Sequence, residues 1–100
     1  MDISYWKEFS VLAETKNYWA AAEKLFIGQS SLSKHIKTME GQLGGALFER
    51  TSRKVELTEL GKLMLPYAQQ IAQLQTQYET AAFNYLSVGS QPLTIGSIPV

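Results

Sequence analysis

The chain has no cysteine, which excludes a disulfide framework and thiolate chemistry. It has a single histidine, His35, so the nitrogen and sulfur donors of a structural zinc site are missing. His35 reads more simply as a surface or half-buried side chain. No apolar run approaches the roughly 20 residues that cross a bilayer, so no membrane partner is expected. The N-terminus carries Asp2 in a mixed polar stretch and does not follow the pattern of a secretion signal. A cytoplasmic location fits these absences. The carboxylates are scattered, no nucleophile lies at usable spacing from a base, and no glycine loop follows a strand. An enzyme is therefore the weakest function class, with no catalytic residue, metal ligand or cofactor assigned in this segment. Net charge is also absent: nine Lys and Arg balance nine Asp and Glu.

What is present is unevenly placed. Residues 1–33 carry Lys7, Lys16 and Lys24 against Asp2, Glu8, Glu14 and Glu23, a net −1. Residues 34–54 carry Lys34, Lys37, Arg50, Arg53 and Lys54 against Glu40 and Glu49, a net +3. Residues 55–100 carry Lys62 against Glu56, Glu59 and Glu79, a net −2. A neutral total thus contains a basic middle. One hundred residues, 45% of them hydrophobic, make one compact domain with an appendage.

Periodicity predicts a mainly α chain. Ile3, Trp6, Phe9, Leu12 and Ala13 recur at helical spacing over residues 3–15. Asn17 is a good N-cap for a second helix over Tyr18–Leu25, whose Ala20, Ala21 and Ala22 admit a close neighbour. Phe26, Ile27 and Gly28 form a short turn, with Gly28 expected to supply the backbone freedom. A third helix spans about Gln29–Leu43. Leu32, Ile36, Met39 and Leu43 make its apolar stripe, and Ser30, Ser33, Lys34, Lys37 and Gly41 lie opposite. Gly44 and Gly45 end it.

Residues 46–57 read as a hairpin with a basic tip at Thr51, Ser52, Arg53 and Lys54. Thr58 is placed to cap a long helix over about Glu59–Leu86. There Leu60, Met64, Tyr67, Ile71, Leu74, Tyr78, Ala81 and Tyr85 alternate spacings of four and three, the seam of a coiled coil. Pro66 interrupts its hydrogen bonding, so a bend is expected nearby. Such a helix is about 40 Å long, too long to be covered by the preceding 57 residues. An exposed stripe of this size marks an interface, here a homodimer. SVGSQP at 87–92 is a linker by composition, and LTIGSIPV at 93–100 is β-prone. That last segment is either a truncation point or the first strand of a further domain.

Two helices about a tight turn, followed by a basic hairpin, suit a winged helix–turn–helix. The third helix lacks acids on its polar face, so it can approach phosphates. Lys and Ser suit phosphate and groove contacts, and Gln can bond adenine through both amide groups. Arg53 at the tip suits a narrow minor groove. Arg50 suits a phosphate contact or an ion pair with Glu49 or Glu56. Trp6 and Trp19 read as core or interface aromatics. The competing reading is a helical protein-interaction adaptor that uses the long stripe and keeps the winged fold as scaffold.

The series Ala21-Ala22, Leu25, Gln29-Ser30, Leu32-Ser33-Lys34, Ile36, Met39-Glu40, Leu43-Gly44, Leu47-Phe48, Arg50, Arg53, Leu57-Thr58 and Gly61 resembles the N-terminal signature of LysR-type transcriptional regulators. The resemblance covers about residues 3–88. It implies a winged helix–turn–helix over 1–58, with the motif near 18–37 and the wing near 46–57. It also implies a linker and dimerisation helix over 59–88, then a hinge and first strand of an effector-binding domain over 89–100. By position, Gln29, Ser30, Ser33 and Lys34 would face the major groove, with Lys37 and Lys54 beside them. Arg50 would hold phosphate and Arg53 would reach the minor groove. The resemblance further implies an antiparallel dimer on a palindromic double-stranded operator, and tetramers at full length. It makes RNA polymerase a candidate partner and places a small-molecule effector on the absent domain. The setting would be the bacterial cytoplasm, at the nucleoid. Three positions depart from the pattern. Gly28 replaces a usual Ser, which weakens the cap by a few tenths of a kcal/mol. Lys34 stands where Arg is frequent and lacks its bidentate fork. Trp19 replaces a small polar residue.

Overall fold

The structure is a computed structural model that describes residues 2–51 and 54–89. Its elements are α1 (Ser4–Thr15), α2 (Tyr18–Leu25), α3 (Gln29–Leu43), β1 (Phe48–Arg50), β2 (Val55–Leu57) and α4 (Glu59–Gly89). The strands pair antiparallel with Phe48 opposite Leu57, Glu49 opposite Glu56 and Arg50 opposite Val55. The fold is a mainly helical, winged helix–turn–helix with a long last helix. The expected strand at Leu93–Val100 and the tip residues Ser52 and Arg53 lie outside the described residues.

Local chemistry sets the ends of these elements. The Asp2 carboxylate accepts from the Ser4 N–H at 2.9 Å and from its hydroxyl at 3.0 Å, opening α1. Those two bonds hold the Asp2 carboxyl below its ordinary pKa. Asn17 caps α2 by accepting from the Ala20 N–H at 2.9 Å. Thr58 accepts from the Gly61 N–H at 3.0 Å at the start of α4 and donates to the Ala46 carbonyl at 2.6 Å. Gly44, at φ 86°, closes α3 with its N–H on the Glu40 carbonyl.

The turn between α2 and α3 differs from expectation. Gly28 sits in ordinary extended backbone at φ −75° and ψ 154°. The left-handed residue is Phe26, at φ 58°. The Ile27 N–H reaches back to the Ala22 carbonyl and the Phe26 N–H to the Glu23 carbonyl. That paired pattern ends a helix tightly and normally uses glycine. The Phe26 ring is 93% exposed, so no packing offsets the backbone strain.

The core gathers Phe9, Leu12 and Ala13 of α1, Ala21 and Ala22 of α2, and Leu32, Ile36 and Met39 of α3. Leu47, Phe48 and Val55 of the wing region and Ala68 of α4 complete it. Phe9 meets Phe48 edge-on at 5.3 Å. Gly61 is required by close packing: a Cβ there would run into the Leu47 carbonyl oxygen. Trp6 is half-buried with its edge toward Phe9, whereas Trp19 is 61% exposed and outside the core.

The stripe on α4 divides in two. Leu60 and Met64 pack on the domain's own core, together with Leu65. Ile71 is half-buried, and Ala81 is exposed. Tyr67, Leu74, Tyr78 and Tyr85 are exposed, as are Leu63, Phe83 and Leu86. α4 continues as one helix through Pro66. No helix among the described residues is long and apolar enough to cross a membrane.

Candidate nucleic-acid interface

Helix α3 separates two chemistries. Leu32, Ile36 and Met39 are buried, each contributing roughly 1.5–3 kcal/mol by leaving water. Gln29, Ser30, Lys34 and Lys37 are exposed on the outer side, and Ser33 is half-buried. Glu40, the nearest acid on the helix, is turned away. Its carboxylate accepts from the Leu47 N–H at 2.7 Å and the Phe48 N–H at 3.3 Å, which ties α3 to the wing. Lys34, Lys37, Arg50 and Lys54 take part in none of the ion pairs among the described residues. The positive charge of this face is therefore not spent within the domain.

The start of α3 has no side-chain cap. The first intrahelical bond runs from the Leu32 N–H to the Gly28 carbonyl, so the N–H groups of Gln29, Ser30 and Ser31 point outward unpaired. Helix N-termini of this kind favour anions.

Arg50 is placed by the hairpin register. Strand alternation puts it on the side of Phe48, and its guanidinium lies over the Tyr18 ring at 5.1 Å from the centroid. The expected ion-pair alternatives are not formed: Glu56 is engaged by Lys16 at 3.6 Å. Tyr18 is pushed to a higher pKa by burial, against the opposing effect of Arg50. Tyr18, Gln29, Ser30, Ser33 and Arg50 line one cavity of about 480 Å³. Trp19, Ala22, Glu23, Ile27 and Gln29 line a second of about 360 Å³, so Gln29 stands between the two.

Lys54 lies at the far side of the tip. Thr51 and Lys54 close the loop through a Thr51 N–H bond to the Lys54 carbonyl at 2.9 Å. The placement of Arg53 lies outside the described residues.

His35, on the flank of α3, carries a contact that spacing does not reveal. Its Nδ1 is 2.7 Å from a Glu8 carboxylate oxygen on α1, and its ring stacks on Tyr5 at 4.2 Å. Among the described residues no cluster of three or more His, Cys, Asp or Glu side chains is arranged for a metal ion. The sequence reading missed Tyr18, Glu8 and Glu40. The only advance signal was that Tyr18 opens α2, the helix before α3, directly after the Asn17 cap.

Residues 4–62 match the family described as bacterial regulatory helix-turn-helix protein, lysR family. The chain is 48% identical over 67 residues to the HTH-type transcriptional regulator IlvR of Caulobacter vibrioides, covering 67% of this chain and 23% of that one. Among solved structures it is similar to the protein of the BenM_DBD/catB site 1 DNA complex. There the TM-score is 0.76 at 31% identity, over 87% of this chain and 97% of that one. It is also similar to the CbnR_DBD-DNA complex, with TM-score 0.74 and 30% identity over 86% and 99% of the two chains. The chain spans about a quarter of the length of the curated relative IlvR.

Proposed function

Because the chain belongs to the lysR family of bacterial regulatory helix-turn-helix proteins, we propose that it is the DNA-binding part of a transcription regulator and reads double-stranded operator DNA. The observation that carries this is the outward face of α3. Five polar or basic side chains, Gln29, Ser30, Ser33, Lys34 and Lys37, stand there with no carboxylate among them, while three apolar ones anchor the helix from behind. The two similar structures described as DNA complexes support it.

In this reading α3 enters the major groove with Gln29 and Lys34 toward base edges, while Arg50 and Lys54 bind phosphates. Arg53 is assigned to the minor groove beside the wing. A second copy joins along α4 through Tyr67, Ile71, Leu74, Tyr78, Ala81 and Tyr85. Two copies of α3 then meet two half-sites of a palindrome. The exposed Leu63, Phe83 and Leu86 widen the surface such a partner would cover. Residues 1–58 are the reading unit, 59–88 the linker helix, and 89–100 lead into an effector-binding domain that takes a small molecule. At full length the proposal extends to tetramers, contact with RNA polymerase and a cytoplasmic site of action. No catalytic step is assigned to the chain, since its relatives are regulators.

The test is a titration against fragments of the source genome at two salt concentrations. Selective retention, with log affinity falling linearly in log salt, is expected. The exposed stripe of α4 favours a second reading, a protein-interaction adaptor. Absence of any retarded DNA at physiological salt would favour that adaptor and defeat the DNA reading.

A further inference from the structure

The cavity between Tyr18, Gln29, Ser30, Ser33 and Arg50 joins three elements: α2, the first turns of α3 and the strand β1. Every residue of its lining offers a hydrogen-bond donor, and none is a carboxylate. The Arg50 guanidinium is held in place by the Tyr18 ring and neutralised by no acid among the described residues. The hydroxyls of Ser30 and Ser33 bond to no protein group among the described residues. The uncapped N–H groups of Gln29 and Ser30 open at the same end of α3. The neighbouring cavity differs in charge: an acid, Glu23, lines it together with Trp19, Ala22 and Ile27. An anion is repelled there and attracted on the other side of Gln29.

We propose that the first cavity seats one backbone phosphate of duplex DNA, held by the Tyr18 hydroxyl, the Arg50 guanidinium and the Ser33 hydroxyl. This rests on the DNA-binding reading above and adds Tyr18 as a contact that neither spacing nor family resemblance supplied. A phosphate diester needs donors and positive charge without acids, and this cavity supplies both. The Tyr18 phenol is an ordinary O–H donor at neutral pH, and burial moves its pKa further up. Ser33 thereby fixes the position of α3 on the duplex and reads no base.

The probe is a duplex enriched from a random-sequence pool by the unaltered chain, with each backbone phosphate replaced singly by a neutral methylphosphonate. One position per half-site is expected to weaken binding through this cavity. Tyr18→Phe keeps the ring under Arg50 and removes only the hydroxyl. It should bind the unmodified duplex roughly three- to tenfold more weakly. It should also lose most of its sensitivity at that one phosphate while retaining it at the others. Arg50→Gln should make the salt dependence shallower by about one and lose sensitivity at the same phosphate. If Arg50→Gln fails to fold, the Tyr18→Phe profile decides alone. Variants as sensitive as the unaltered chain at every position overturn the phosphate seat and leave DNA binding intact. If the unaltered chain enriches no duplex, the DNA-binding reading fails, and the seat fails with it.

Discussion

His35 on α3 and Glu8 on α1, 27 positions apart, meet at 2.7 Å. A carboxylate only accepts, so Nδ1 of His35 carries the hydrogen and donates. The Glu8 side chain is 10% exposed, so this partner offsets the desolvation of a buried acid. The same ring stacks on Tyr5, which holds the flank of α3 against α1 by two contacts of different kinds.

His35→Ala should therefore destabilise the fold by about 1–3 kcal/mol, because it strands the Glu8 carboxylate. Pairing it with Glu8→Leu, which removes the orphaned acid, should recover part of the loss. Urea unfolding of the two single variants and the double measures the coupling. Additive losses would show that the pair does not couple the two helices.

The α2–α3 turn yields two stabilising substitutions. Phe26→Gly relieves the left-handed backbone at the loss of an already exposed ring. It should raise stability by about 0.5–1 kcal/mol after the added freedom of the unfolded chain is counted. At Gly28 nothing lies within 4 Å of an added Cβ, and the backbone already has cap geometry. Gly28→Ser should add a few tenths of a kcal/mol. Thermal melts of each variant check both values.

Two glycines should respond in opposite directions. Gly61→Ala drives a methyl into the Leu47 carbonyl and, at 2.7 Å, into the Leu57 side chain, and should cost about 1–3 kcal/mol. Gly41→Ala, within α3 and meeting nothing within 4 Å, should gain about 0.5–1 kcal/mol. Denaturant midpoints of the two variants separate tight packing from helix propensity.

Association along α4 can be separated from folding. Leu74 is 61% exposed, so Leu74→Asp should leave the helical fold intact by circular dichroism, shift sedimentation to monomer and make the melting temperature independent of protein concentration. Leu60→Asp places a charge against the core and should unfold the domain. A Leu74→Asp variant that sediments as an unchanged dimer would remove this segment from the interface.

Lys34, on the outer face of α3, takes part in no ion pair among the described residues. Lys34→Ala should weaken operator binding by about 1–3 kcal/mol if the ammonium reads a base, and should lower the salt slope by about one if it holds phosphate. Binding isotherms at several salt concentrations distinguish the two. Unchanged affinity throughout would remove Lys34 from the contact set.

Helix ends were legible in the sequence because Asn17, Gly44 and Thr58 act on groups within a few residues of themselves. The two faces of α3 were legible for the same reason, periodicity being local, except at Leu43, which the stripe included and the structure leaves exposed at the helix end. Contacts between distant positions were not. Nothing in spacing joins Glu8 to His35, or assigns the Glu40 carboxylate to the Leu47 and Phe48 amides. Propensity also placed the turn's backbone freedom at Gly28, since a bulky aromatic is the least expected residue for a left-handed conformation. The long stripe showed its period but not its partners. A repeat of four and three is the same whether Leu60 covers its own core or Leu74 awaits another chain.

Glu40 has a consequence beyond closing a helix. With one carboxylate gripping two amides of the wing, the reading helix and the hairpin travel as a single rigid head. In the proposed DNA reading, the half-site sequence a head accepts is then set by residues before Thr58. If the effector-binding domain proposed above acts through α4, only the separation and tilt of two heads are left for it to adjust. Under the dimer proposed here, control acts as a caliper: it changes the span between half-sites and leaves the letters in each one alone.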